Sequence, residues 1–116
     1  MLNKQNKIQK KKEVENVFKN GKSSFDKILG VKVLKTENKI TRFVIVVSTK
    51  ISKKAVVRNR LKRQLSEVAR LNLIKLKPGT EFFIIAMPEI AQLNYHDIEK
   101  VFLNHCKKLR VLAGKK

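Results

Sequence analysis

The first apolar residues of the 116-residue chain follow the spacing of a helix. Val14, Val17 and Phe18 are three to four positions apart, so they lie on one face of a helix. Gly21 follows them, and glycine commonly ends a helix. The pattern predicts a short helix over residues 10–20.

Two apolar segments follow, with the spacing of strands rather than helices. Residues 27–35 and 40–48 are rich in Ile, Val and Leu, and residues 35–39 form a polar turn between them. The pattern predicts an antiparallel hairpin. In the second strand, both sets of alternate residues are apolar except for Arg42, which favours a central strand with both faces covered.

A long helix is predicted over residues 53–73. Ser52 is positioned to cap its start, and Pro78-Gly79 ends the segment that follows it. One face of this helix is apolar and is expected to be buried; its residues are Val57, Leu61, Leu65 and Val68.

The last third of the chain predicts a strand and a helix. Residues 81–87 form a short apolar run that ends before Pro88, as expected of a buried strand. The helix starts near Asn94, with Asp97 three residues later in a capping arrangement. Its apolar face consists of Tyr95, Ile98, Phe102, Cys106 and Leu109.

The order of these elements is α, β, β, α, β, α. It predicts an α+β fold in which helices, including the long basic one, pack on a small central sheet. The length suits a single domain over residues 1–116, and we expect residues 1–8 and 113–116 to be flexible.

Positive charge dominates the composition. The chain has 28 Lys and Arg against 9 Asp and Glu, a net charge of +19. The excess is concentrated in residues 1–22 and 50–77, so a generally basic, soluble surface explains it less well than a polyanionic partner.

The start of the long helix carries the densest charge. Residues 53–63 contain six cationic side chains and Asn59 among apolar residues. Arg58 and Lys62 are predicted to flank the buried face on one side, while Arg60, Arg63 and Arg70 project from the other side.

Several other kinds of function are disfavoured by the sequence. No apolar run approaches the roughly 20 residues that cross a bilayer, and the start lacks the apolar segment of a secretory signal. We therefore expect a cytoplasmic protein with no membrane partner.

Catalytic and metal-binding residues are also scarce. Cys106 is a lone cysteine, best explained as a small buried side chain, and His96 and His105 are not spaced as shared metal ligands on a helix. Glu67 is predicted to pair with Arg63, one helical turn earlier. We expect no catalytic residue and no metal site in the protein itself.

These features resemble one family. Residues 47–50 and 53–63, centred on Arg58-Asn59-Arg60, are similar to the signature of the bacterial ribonuclease P protein component. The small basic chain, the helix that carries Phe18 and ends at Gly21, and the order of elements agree with it. The resemblance covers residues 8–110.

The resemblance implies the protein subunit of a ribonucleoprotein endonuclease that removes the 5' leader of precursor tRNA. In that family the RNA subunit carries the catalytic centre and its Mg²⁺. The protein broadens substrate affinity and lowers the metal requirement. The resemblance also implies a left-handed βαβ crossover, with the basic helix joining two parallel strands, against the general right-handed rule.

Residues on two surfaces are implied to contact RNA. Arg58 and Arg60 would hold phosphates of the RNA subunit, and Asn59 would hydrogen-bond an RNA group. The same surface would extend over Lys50, Lys53, Lys54, Lys62 and Arg63. Lys53-Lys54 stands where the family often has Gly-Asn, which leaves the helix start open by a residue or two.

The second implied surface is a cleft between the first helix and the sheet, which receives the single-stranded leader. Phe18 stands at an aromatic position of the family's cleft, and Val14 at a position that is often aromatic. The alternative is that Val14 and Phe18 are only core contacts of their helix.

Two other functions share parts of this pattern. A small ribosomal protein would share the size, charge and α+β architecture, but it would not stimulate precursor cleavage. A DNA-binding module is disfavoured because no short helix precedes residues 53–63, as a helix-turn-helix requires. We therefore expect no DNA partner.

Overall fold

The computed structural model describes residues 2–113, and it shows a single-domain α+β fold with one more strand than predicted. The helices and strands are α1 (Lys11–Asn20), β1 (Lys22–Phe25), β2 (Leu29–Lys35), β3 (Arg42–Val46), α2 (Ala55–Leu71), β4 (Thr80–Ala86) and α3 (Tyr95–Lys108). Short 3₁₀ turns lie at Lys4–Asn6, Leu73–Lys75 and Pro88–Gln92.

The four strands form one mixed sheet in the order β1-β2-β4-β3. The predicted hairpin is wrong, because β4 lies between β2 and β3 and pairs antiparallel with β2 and parallel with β3. Six of the seven residues of β4 are buried, so this strand has covered neighbours on both sides and both faces. β3 is therefore not central as predicted; it is an edge strand of the sheet.

β1 escaped prediction because it lacks an apolar alternation. Its sequence, Lys22–Phe25, is mostly exposed, and it pairs antiparallel with β2 at the opposite edge of the sheet. The Phe25 ring covers Gly30 so closely that a Cβ there would lie 2.2 Å from the ring. Gly30 is thus required for this packing.

Gly21 has a different role from the one expected of a helix-ending glycine. Its φ is −78°, outside the left-handed region, and its N–H donates to the carbonyl of Val17. A Cβ at this position would lie 2.6 Å from the Val17 oxygen and 2.8 Å from the Val33 oxygen. Gly21 therefore allows the close approach of α1 and β2.

The sheet separates two apolar layers. On one face, α2 and α3 cover the larger core, which includes Phe43, Phe82 and Phe102. On the other face, α1 inserts Val17 against Phe83. The predicted alternation of β3 is confirmed, because its odd-numbered residues join the first layer and its even-numbered apolar residues the second.

The predicted buried face of α2 is present, but the predicted cap is wrong. Leu61, Leu65 and Val68 are buried, and Val57 is partly buried against the same core. The residue before the helix is Lys54, without a side-chain cap, and Ser52 only accepts a hydrogen bond from the Lys54 N–H at 3.2 Å.

The α3 cap is confirmed. The Asn94 side chain accepts a hydrogen bond from the Asp97 N–H at 2.9 Å.

α2 connects the parallel strands β3 and β4, so the predicted crossover exists. Its handedness stays a prediction.

The start of the chain runs along β3. The Ile8 N–H donates to the Phe43 carbonyl at 2.8 Å, and the Asn6 amide donates to the Thr41 carbonyl. Leu2, Asn6 and Ile8 are buried. The flexibility expected of residues 1–8 and 113–116 stays a prediction, and residues 1 and 114–116 lie outside the described residues.

A charged network joins α1 to the sheet. The Arg42 guanidinium contacts Glu13 at 3.0 Å and also binds the buried Glu81. These bonds, first to Glu13 and then to Glu81, raise the pKa of Arg42, and the bond to Arg42 lowers the pKa of Glu13. The network fixes the orientation of α1 over the edge of the sheet.

Candidate nucleic-acid interface

The polar side of α2 and the loop before it form a continuous exposed surface. Because the apolar side of α2 is packed on the sheet, its polar side chains point outward. The exposed predicted residues are Lys50, Lys53, Lys54, Asn59, Arg60, Lys62 and Arg63. None of the lysines or arginines in this set has an acidic partner among the described residues, so their charge is available to an anion.

Arg58 differs from these residues. It is only partly exposed, and its Nη1 donates to the Ser52 carbonyl at 2.9 Å. One side of the guanidinium therefore holds the loop that precedes α2. The remaining donors can still reach a ligand, since a guanidinium has five N–H groups.

Arg63 borders a groove beside α2. Together with Asn59, Lys62 and Ser66, it lines a groove of about 470 Å³ between α2 and β3. Arg60 does not line this groove. The predicted projection of Arg60, Arg63 and Arg70 from one side of the buried face stays a prediction.

The predicted partner of Glu67 is also wrong. Glu67 forms an ion pair with Arg70, three residues later, at 2.7 Å. The pKa of Glu67 is lowered to about 2, and the hydrogen bond from Arg70 is the main cause. Arg70 is thus partly neutralised, while Arg63 stays without an acidic partner in the described part of the chain.

On the opposite face of the sheet, α1 exposes an aromatic ring beside a cation. Phe18 is 47% exposed, and its ring centroid lies 5.4 Å from that of Phe83. Lys32 Nζ lies 4.0 Å from the Phe18 ring centroid and donates to the Phe18 carbonyl. Val14 is partly buried, and Val17 is the fully buried residue of this helix. About half of the Phe18 side chain is therefore open to solvent, and its role in a leader cleft stays a prediction.

Comparison with known proteins decides the family. The family model described as Ribonuclease P matches residues 2–110. The chain belongs to the ribonuclease P protein family. As such it is the protein subunit of a ribonucleoprotein endonuclease, an RNA-binding protein of tRNA processing whose partner is the ribonuclease P RNA.

Curated relatives agree over nearly the whole chain. The ribonuclease P protein component of Clostridium botulinum (strain 657 / Type Ba4) is 42% identical over 106 residues, which cover 90% of this chain and 95% of the relative. That of Pseudanabaena sp. (strain PCC 6903) is 35% identical over 115 residues, which cover 98% and 99%.

Solved structures show the same fold. The Staphylococcus aureus RNase P protein superposes with a TM-score of 0.83 at 22% identity, covering 93% of this chain and 98% of that one. The Thermotoga maritima RNase P protein gives a TM-score of 0.79 at 25% identity, with 88% and 96% covered. Their likeness supports the element order and the mixed sheet described above.

The structure brings together a serine, a histidine and an aspartate that sequence analysis did not group. Ser24 Oγ lies 2.7 Å from His105 Nδ1, and Asp26 Oδ2 lies 2.9 Å from His105 Nε2 without the alignment of a hydrogen bond. Burial raises the pKa of Asp26. The hydrogen bonds that its carboxylate accepts from the Leu29 and Ile28 N–H groups, together with His105, outweigh burial and lower this pKa. His105 is only 1% exposed, and the cluster ties α3 to the β1–β2 turn.

Cys106 is fully buried, as predicted, and burial raises the pKa of its thiol to about 12. Within residues 2–113, no three His, Cys, Asp or Glu side chains lie close enough to hold a metal ion. No described helix is long and apolar enough to cross a membrane.

A second group of cations was not predicted. It surrounds a depression of about 390 Å³ where β2 ends and β4 begins. Its cationic residues are Lys22, Lys35, Lys77 and Arg110. These residues come from four separate parts of the chain, and no local sequence pattern groups them.

Proposed function

We propose that the exposed side of α2 binds the phosphates of the ribonuclease P RNA near its catalytic centre. The observation that carries this proposal is the row of cations without acidic partners on one rigid helix. Arg60 supplies a planar fork that can hold a phosphate with two hydrogen bonds, and Asn59 supplies an amide for a base or a ribose hydroxyl.

Arg58 takes part in two ways in this proposal. It holds the loop that carries Lys50, Lys53 and Lys54 through the Ser52 carbonyl, and its free donors bind a phosphate. The loop cations thus meet the RNA in a fixed arrangement, which reduces the entropy lost on binding.

We propose that the 5' leader of precursor tRNA lies across the α1 face of the sheet. Phe18 offers an exposed ring for one base, Val14 forms the apolar floor beside it, and Lys32 is placed to attract the leader's backbone. Stacking on a single aromatic ring contributes about 1–3 kcal/mol. A second aromatic residue at position 14 would extend the same platform, so this chain should hold the leader less tightly than relatives that have one.

The protein supplies no catalytic residue in this account. We propose that magnesium is held by the RNA subunit, as the family resemblance implies. Cations on α2 reduce repulsion between RNA segments and precursor, which lowers the magnesium requirement. We also propose the family's left-handed β3-α2-β4 crossover and a cytoplasmic location.

Salt dependence of binding to the ribonuclease P RNA tests the α2 surface. The double variant Lys54→Gln/Arg60→Gln removes two proposed phosphate contacts and should lower the slope of log K against log salt by roughly 0.7–0.9 per contact. The matched control is Lys107→Gln/Lys108→Gln, two exposed cations at the end of α3. Equal slopes for both variants and the wild type would refute the α2 assignment.

A further inference from the structure

The groove between α2, β3 and the start of the chain has features that phosphate binding does not require. We call it the β3 groove. Its lining residues are Leu2, Lys7, Ile8, Gln9, Phe43, Val44, Ile45, Asn59, Lys62, Arg63 and Ser66. Its volume of about 470 Å³ falls within the range of roughly 300–1,000 Å³ that is typical of small-ligand sites.

The walls of the groove are apolar. Ile8 and Phe43 are 5% and 2% exposed, and Ile45 is partly buried against the core. A bound phosphate would gain nothing from these side chains, because an ion loses hydration beside apolar groups. A flat apolar ring could pack against Ile45, which keeps some exposed area.

The groove also exposes hydrogen-bonding groups of a strand edge. In a strand, the backbone groups of alternate residues point to the same side. The Phe43 carbonyl accepts from Ile8, so it points away from β4, and the backbone of Ile45 points the same way. The first segment bonds to Thr41 and Phe43 and does not reach Ile45, so the outward N–H and C=O of Ile45 have no partner in residues 2–113. They form a donor-acceptor pair of the kind that reads the edge of a nucleobase.

The rim of the groove is positive. Lys7, Lys62 and Arg63 stand around its mouth with the amide of Asn59, and no acidic residue lines it. The apolar walls suit the faces of a base, and the backbone donor and acceptor suit its edge. The cations at the mouth suit the phosphate of the same nucleotide.

We propose that the β3 groove binds one unpaired nucleotide of the ribonuclease P RNA. The base lies along the outer edge of β3 beside Ile45, its edge bonds the Ile45 backbone, and Lys62 and Arg63 hold the adjoining phosphate. This inference rests on the proposed binding of α2 to that RNA, and it adds recognition of a base to contacts with the backbone.

Titration of the intact protein with adenosine, guanosine, cytidine and uridine 5'-monophosphates, followed by amide NMR, tests the groove directly. At least one of them should shift the signals of Ile45 and Gln9. Ribose 5-phosphate carries the same phosphate without a base, and it should shift only residues at the rim. Equal shifts of Ile45 by ribose 5-phosphate, or no shift by any nucleotide, would overturn the proposal.

A blocking variant tests the groove in the complex. Ser66→Leu fills the groove without changing charge, and leucine is favourable in a helix. It should weaken binding to the ribonuclease P RNA about tenfold with an unchanged salt slope, since no phosphate contact is lost. Ser23→Leu, the same change at an exposed position of β1, should bind like the wild type.

The outcomes separate this inference from the proposed function. Wild-type affinity of Ser66→Leu, with an intact salt slope for the wild type, would refute the groove and leave the α2 surface standing. A loss seen only with leader-bearing precursor would also refute it, because the groove is assigned to the RNA subunit. Failure of the wild type to bind the RNA would refute both.

Discussion

Arg58 and Arg60 are two positions apart on α2 but have different surroundings. Arg58 is bonded to the Ser52 carbonyl, whereas Arg60 is exposed and forms no hydrogen bond or ion pair within residues 2–113. The sequence predicted both as phosphate ligands because their spacing and charge are alike. It could not reveal that one of them also holds the preceding loop, since that depends on the loop's path.

Replacing Arg60 by lysine tests whether the planar fork matters. Charge is retained, but one of two parallel hydrogen bonds is lost, so binding to the ribonuclease P RNA should weaken by about 1–2 kcal/mol, or roughly 5- to 30-fold. Filter binding across a salt titration measures this. Arg110→Lys, an exposed site at the end of α3, should bind like the wild type, and an Arg60→Lys variant that does so as well would contradict the account.

Arg42 forms a partly buried ion pair with Glu81. Arg42→Met leaves Glu81 without its partner, and the Glu81 side chain is only 5% exposed. The variant should therefore lower the free energy of unfolding, measured in urea, by about 3 kcal/mol. This value is at the low end for a buried pair because Arg42 keeps some exposure. Arg70→Met breaks an exposed pair and should change stability little. Equal losses for the two variants would show that the Arg42 network does not stabilise the fold.

Acid should weaken the same network. The folded-state pKa of Glu13 is lowered by Arg42, so its contribution is complete above the ordinary value of 4.5 and disappears as pH falls through the lowered value. The stability difference between wild type and Arg42→Met should therefore shrink as the pH falls below about 4.5. A constant difference would contradict this assignment.

Elements with a strong periodicity were predicted well, and elements defined by their neighbours were not. The apolar face of α2 and the Asn94 cap of α3 follow from local sequence, and both are present. The pairing of β2 with β3 was wrong because β4, a more apolar strand from far along the chain, separates them. β1 is held by pairing with β2 rather than by an apolar pattern of its own.

The role of α1 can be tested through its exposed ring. Phe18→Ala should reduce affinity for precursor tRNA with a leader by about 1–3 kcal/mol and leave affinity for leaderless tRNA unchanged. Phe25→Ala is a matched control, because Phe25 is 49% exposed and Phe18 is 47% exposed. An equal loss with and without the leader would assign Phe18 to packing of the core.

At the scale of the whole molecule, the net charge of +19 is gathered on surfaces that the fold assembles. The α2 cations are contiguous in sequence and could be predicted. The β3 groove and the cations around Arg110 combine separate segments, so only the fold reveals them. Self-repulsion among these cations opposes the folded state in the absence of an anionic partner.

Anions should therefore stabilise the isolated protein. Sulfate should raise its thermal midpoint more than chloride does at equal ionic strength, because it binds the folded cation clusters. The buried thiol of Cys106 gives a second measurement, since its labelling by a thiol reagent requires opening of the core. If sulfate neither raises the midpoint nor slows labelling relative to chloride, the charge clusters do not limit stability.

Reconstitution with the ribonuclease P RNA at low magnesium tests the central claim most directly. The protein should accelerate removal of the 5' leader from precursor tRNA, and Lys54→Gln/Arg60→Gln should lose most of this stimulation while Lys107→Gln/Lys108→Gln retains it. Absence of acceleration by the folded wild-type protein would contradict the account, as would full stimulation by the α2 variant.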